Sequence, residues 1–119
     1  MPDIQMGVLE GRFADLVWER VPVTTAELVQ LGEKTFGWKR TTTYTVLKRL
    51  SDKGIFENTK GTVNALMTRE EFYSKLSRRY VEESFEGSLP AFVAAFTSGK
   101  RLSEEDAEKI RRMIDAAED

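Results

Sequence analysis

The residues best suited to chemistry lie in one run, Trp38-Lys39-Arg40-Thr41-Thr42-Thr43-Tyr44-Thr45-Val46-Leu47-Lys48-Arg49-Leu50. Hydroxyls at the start of a helix can donate to phosphate oxygens or base edges, and a helix N-terminus itself favours an anion. Threonine methyls can meet thymine methyls, and Arg40 can read guanine if it points into a major groove. Threonine is a poor helix former, so four of them in the five positions 41–45 call for a reason beyond helix stability. Taken alone, the run also reads as caps and a solvated cationic face. Its place among the neighbouring elements decides between the two.

The net charge of −2 argues against nucleic-acid binding, because phosphate neutralisation needs clustered cations. Distribution outweighs the sum. Residues 1–66 carry a net +1 and residues 67–119 a net −3, and between Lys34 and Lys53 six cations face one acid, Asp52. There is no cysteine and no histidine, which removes the usual ligands of zinc and copper, the thiol nucleophile and the commonest general base. No metal and no cofactor are expected. The acidic pairs Glu70-Glu71, Glu82-Glu83 and Glu104-Glu105 point about 100° apart on a helix and make no carboxylate dyad. With no catalytic constellation in the chain, an enzyme is not expected.

The elements that must position this run can be read from spacing. Leu9, Phe13, Leu16 and Val17 make one apolar stripe on a helical repeat, ended by Pro22. Thr24 and Glu27 form a capping box that opens a second helix over about 25–35, with Leu28, Val29 and Leu31 available to the core. The third helix runs from about Thr41 to Lys53, turns Val46, Leu47 and Leu50 inward, and stops at Gly54. Its other face carries Thr41, Thr42, Thr45, Lys48, Arg49 and Asp52. Residues 55–59 and 62–67 then read as a hairpin around Lys60-Gly61. Three helices followed by a hairpin is the winged-helix order, and its third helix is the one that enters the groove. The candidate DNA-contacting residues are therefore Thr25, Lys39, Arg40, Thr41, Thr42, Thr45, Lys48, Arg49 and, at the hairpin tip, Lys60. Trp18 and Trp38 are expected in the core.

The second half predicts three more helices, opening at Thr68-Arg69-Glu70-Glu71, at Ser88-Leu89-Pro90 and at Ser103. The first carries Phe72, Tyr73, Leu76 and Tyr80, the second Leu89, Phe92, Val93 and Phe96, the third Ala107, Ile110, Ile114 and Ala117. Three amphipathic helices with short breaks do not easily close a core alone. The simplest partner is a second copy, so Phe72, Leu76, Tyr80, Leu89, Phe92, Val93, Phe96, Ile110 and Ile114 are the candidate dimer residues. The expected division is a winged-helix DNA-binding domain over 1–67 and a helical dimerisation region over 68–119, in a mainly α chain with a small β wing.

These segments resemble the penicillinase repressor family, which includes the methicillin-resistance and copper-transport repressors. The likeness rests on Leu9-Glu10 through Trp18-Glu19, Trp38 through Leu50, Lys53-Gly54-Ile55-Phe56, Ser88-Leu89, Phe96, Leu102-Ser103 and the final helix. The resemblance implies a dimeric repressor on a two-fold operator, with Thr41, Thr42, Thr45 and Arg49 at the DNA. Where the family often has lysine this chain has Thr41, and where it has serine-proline this chain has Lys39-Arg40. In antibiotic-responsive members a sensor-linked protease signal leads to cleavage of an asparagine-phenylalanine bond, which corresponds here to Ala95-Phe96. The cysteine pairs of the metal-responsive members have no counterpart.

The opening residues lack a basic region followed by an apolar run, and no stretch approaches the roughly 20 apolar residues that span a bilayer. A cytoplasmic protein without membrane insertion is expected. The competing reading is a winged-helix module that docks on protein, favoured by the net acidity and by a hairpin whose only charges are Glu57 and Lys60.

Overall fold

A computed structural model describes residues 6–118. Its elements run α1 (Val8–Arg20), β1 (Val23–Thr24), α2 (Thr25–Phe36), α3 (Arg40–Asp52), β2 (Phe56–Thr59), β3 (Thr62–Ala65), α4 (Arg69–Phe85), α5 (Leu89–Ser98) and α6 (Glu104–Ala117). The chain forms two compact units, one up to Ser77 and one from Arg78 on. Helices dominate and the sheet is small, as in a winged helix.

The caps expected from sequence form. Thr24 Oγ1 accepts from the Glu27 N–H at 3.2 Å, Ser88 Oγ from Ala91 at 3.1 Å and Ser103 Oγ from Asp106 at 3.1 Å. At α4 the box is reciprocal, with Thr68 Oγ1 accepting from Glu71 N–H and Glu71 Oε1 from Thr68 N–H. At the end of α3, Gly54 sits at φ 78°, its N–H bonds to the Ser51 carbonyl and the Ile55 N–H reaches back to Leu50. This closure needs a left-handed residue, which glycine supplies without a Cβ penalty.

Unit one has a continuous core of Phe13, Ala14, Val17, Leu28, Val46, Leu47, Leu50, Ile55, Phe56, Val63 and Phe72. The stripe of α1 differs from the one read in sequence: Ala14 is inside, whereas Leu9 is 49% exposed, because the helix turns Phe13 and Val17 rather than its first turn onto the core. Trp18 and Trp38 pack against this core, Trp18 donating to the Met67 carbonyl at 3.0 Å and Trp38 stacking on Phe36 at 4.6 Å between ring centroids. The expected two-stranded hairpin is a three-stranded sheet in the order β1-β3-β2, all antiparallel, with Val23 opposite Val63. A two-residue strand carries no periodicity of its own, so β1 exists only by virtue of its pairing with β3.

Where α2 and α3 meet, Gly32 and Thr43 set the spacing. A Cβ on Gly32 would lie 2.4 Å from Thr43 Oγ1, and that hydroxyl is buried with no hydrogen-bond partner among the described residues. Gly32→Ala should therefore destabilise by about 1–3 kcal/mol through overpacking. Adding Thr43→Ala should restore most of the loss, since it makes room and removes a buried unpaired hydroxyl; urea denaturation of the single and double variants reads both effects. A second tie joins α1 to the end of α3, where Lys53 bonds Glu10 with both side chains largely shielded from solvent. Glu10→Gln is expected to cost about 1–3 kcal/mol, because it leaves the Lys53 charge desolvated and uncompensated. An unchanged midpoint in thermal unfolding would place the pair among surface contacts of no consequence.

Unit two is different in kind. No residue of α5 or α6 is buried. Its rings do meet, with Phe85 and Phe92 at 5.6 Å and Tyr80 and Phe92 at 6.0 Å, yet Tyr80, Leu89, Val93, Phe96, Ile110, Met113 and Ile114 all stand exposed.

Candidate nucleic-acid interface

The helical repeat of α3 divides its residues into two faces. Thr43, Val46, Leu47 and Leu50 are buried, while Arg40, Thr41, Thr42, Tyr44, Thr45, Lys48, Arg49 and Asp52 are exposed, with exposed Lys39 at the cap position. The division expected from sequence holds for every residue it named. Thr43 is the exception within the threonine run: it faces Gly32 and belongs to packing.

The start of α3 lacks the hydroxyl cap that opens α2, α4, α5 and α6. Its cap residue is Lys39, there is no side-chain cap, and the first turn holds no acid. Lys39 and Arg40 place positive charge at the positive end of the helix dipole, which is unfavourable by some tenths of a kcal/mol or more per charge. The free N–H groups and the two cations make this end of the helix favourable to an anion. Thr45 is more specific than it looked in sequence. Its hydroxyl donates to the Thr41 carbonyl at 2.9 Å, so toward solvent it presents an acceptor, suited to an amino group on a base edge rather than to a phosphate.

Tyr44 was missed in the sequence reading. It stands 37% exposed with the Arg40 guanidinium over its ring at 5.6 Å, the i,i+4 relation that was the available signal. The Thr25 hydroxyl and, after it, the Arg40 guanidinium beside the phenol hold its ionisation below the ordinary tyrosine range. Thr25 is half-buried at the first position of α2 and its N–H bonds the Gly61 carbonyl at 2.9 Å. The wing turn is thus stitched to the start of α2. Lys60, at the tip, is exposed and at φ 51°, in a two-residue turn closed by the Asn58 side chain, which accepts from Gly61 N–H at 3.1 Å.

Among the candidate dimer residues, Phe72 requires a correction. It is 1% exposed and lies in the core of unit one, beside Trp18 at 6.0 Å and Tyr73 at 5.4 Å, so it has no surface to offer a partner. Leu76 packs partly against the same core. Tyr80, Leu89, Val93, Phe96, Ile110 and Ile114 are open, Phe92 is half-buried, and Met113, unnamed in the sequence reading, joins them at 65% exposure. Ala95 and Phe96 are both exposed on α5. No helix among the described residues is long and apolar enough to cross a membrane.

A family model described as penicillinase repressor matches residues 6–116. A comparison with curated proteins finds no match.

Proposed function

We propose, since the chain belongs to the penicillinase repressor family, that it is a dimeric repressor which occupies a two-fold operator through two copies of α3. Members of this family are transcriptional regulators, not enzymes. The observation that supports the DNA-binding role of α3 most directly is its uncapped, cationic start. A helix begun by Lys39 and Arg40, with no acid in its first turn, gives up stability that four other helices of the chain obtain from hydroxyl caps. Such local violations are expected at functional sites. A phosphate or a base edge at this point supplies the missing anion and acceptors together.

In this reading Lys39, Lys48, Arg49 and Lys60 neutralise phosphates, Arg40, Thr41, Thr42 and Thr45 meet base edges, and Thr25 supports the wing. Residues 1–67 form the DNA-binding module and residues 68–119 the dimerisation region, with the Phe72 turn of α4 anchored in the former. The open apolar face of α5 and α6 is what a second copy covers, which sets two recognition helices about 34 Å apart along the duplex. In this reading the regulated genes serve the response to antibiotic or cell-wall stress, as in the antibiotic-responsive members of the family. Cleavage at Ala95-Phe96 by a sensor-linked protease would open the same dimer face.

Fluorescence anisotropy on a duplex selected by the protein from a random library, against a scrambled duplex and over a range of salt, tests the proposal. The expected result is tight binding to a palindromic selected sequence, with preference surviving moderate salt. Equal and steeply salt-dependent binding to both would leave only a basic patch. No binding at low salt by folded protein would favour a protein-docking module.

A further inference from the structure

We infer that Thr45 reads an exocyclic amino group in the major groove, so that one base pair of each half-site carries adenine or cytosine, not guanine or thymine, on the strand beneath it. This rests on the DNA-binding reading above. Successive residues of a helix turn by about 100° around its axis, which sets Thr41 and Thr45 in the middle of the exposed face of α3, nearly opposite buried Thr43 and Leu50. Residues in that row reach deepest toward the floor of a groove, where the base edges lie.

A hydroxyl has one hydrogen to give and two lone pairs to offer. The three exposed threonines of α3 differ in where that hydrogen goes. Thr41 and Thr42 make no side-chain hydrogen bond among the described residues, so each can turn to donate or to accept. Thr45 Oγ1 donates to the Thr41 carbonyl at 2.9 Å. It is left with lone pairs only toward DNA, and the bond also fixes its rotamer. Thr97 on α5 bonds the Val93 carbonyl in the same way at 2.8 Å, so the bond is an ordinary helical device. Its place in the middle of the recognition face gives it a consequence at Thr45.

In the major groove every base pair offers one amino group, adenine N6 or cytosine N4, whereas guanine O6, thymine O4 and the purine N7 atoms accept. Facing an amino group, Thr45 makes a second hydrogen bond and keeps the first. Facing an acceptor, it either sets lone pairs against lone pairs or turns its hydrogen outward and gives up the Thr41 carbonyl. The amino group is therefore favoured by about one hydrogen bond. Phosphate oxygens are acceptors as well, so the same reasoning keeps Thr45 off the backbone. Because the amino group belongs to one strand of each pair, the preference separates adenine and cytosine from guanine and thymine at a single position.

Selection from a random library is repeated with Thr45→Val, which keeps the shape of threonine without the acceptor, and with Thr45→Ser, which keeps the hydroxyl. The unmodified protein and Thr45→Ser are expected to select adenine or cytosine at one position of each half-site where Thr45→Val is indifferent. Anisotropy then uses duplexes with purine in place of adenine, or 2-pyrimidinone in place of cytosine, at that position; these lack the amino group alone. The change in both half-sites is expected to weaken binding roughly 10- to 30-fold for the unmodified protein and Thr45→Ser, as for one hydrogen bond per half-site, and to leave Thr45→Val unaffected. Salt slopes should stay the same. A Thr45-dependent preference for guanine or thymine would show the hydroxyl donating and overturn the inference. An amino-group effect as large in Thr45→Val overturns it too, as does a uniform loss on all duplexes with a shallower salt slope, which would place Thr45 on a phosphate. If a preferred duplex emerges and no position responds to Thr45, the inference falls and the operator reading stands; if no preferred duplex emerges, both fall.

Discussion

Lys39→Asp is expected to make the protein more stable and a much poorer ligand for DNA. Aspartate at the cap position would accept from the free N–H groups of the first turn of α3, which now has no side-chain cap. A good cap contributes about 1 kcal/mol, and exchanging a cation for an anion at this end of the dipole adds some tenths more. Thermal unfolding should shift upward by roughly 4–8 °C for each kcal/mol gained, as for a domain of this size. At the DNA the same change puts a carboxylate where a phosphate is proposed to lie. The loss of a charged contact is about 1–2 kcal/mol for each half-site, hence roughly 30- to 1000-fold for a dimer. The salt slope should fall by about 2, one for each recognition helix. Lys39→Ser separates the terms, since it caps without reversing charge and should keep most of the stability gain with a smaller loss of binding. Undiminished affinity for the selected duplex in Lys39→Asp would mean that no phosphate approaches the start of α3.

The largest effect is expected from charge placed on the open face of unit two. Phe96 is 65% exposed and Ile114 more than half so, and neither has a role in the core of unit one. If the proposed dimer forms through this face, Phe96→Asp combined with Ile114→Asp should yield a monomer by sedimentation where the unmodified protein sediments as a dimer, because two carboxylates per copy would have to be desolvated in the interface. Operator affinity should fall by about 10²–10⁴, the usual worth of linking two modules, while weak binding to any duplex persists. The two tryptophans report on unit one alone. Trp18 lies near Phe56 and Phe72, and Trp38 against Phe13 and Phe36, so an unaltered emission spectrum shows that the winged helix has stayed folded. A double variant that sediments as a dimer would move the interface elsewhere. Phe72, now placed in the core, belongs to a different experiment: Phe72→Ala would cost about 3–5 kcal/mol of stability and says nothing about dimers.

The sequence by itself determined the helices, their caps and the two faces of α3. These depend on interactions between residues three or four apart, such as Thr24 with Glu27 or Val46 with Leu50, and such interactions leave a period in the chain. It also determined where the cations gather, because charge is a property of residues and not of their arrangement. The tertiary structure decided everything that depends on residues far apart. β1 is a strand only because Val63 lies opposite Val23. Thr43 is interior only because Gly32 allows α2 to approach, although its neighbours in the same run face solvent. Phe72 and Phe96 carry the same side chain on amphipathic helices, and no local pattern assigns one to a core and leaves the other bare. Thr25, at the start of α2, meets the wing turn through the Gly61 carbonyl. A one-dimensional pattern records which side of its own helix a residue occupies. What that side faces is settled by packing, where contacts across long sequence separations select one arrangement of the elements.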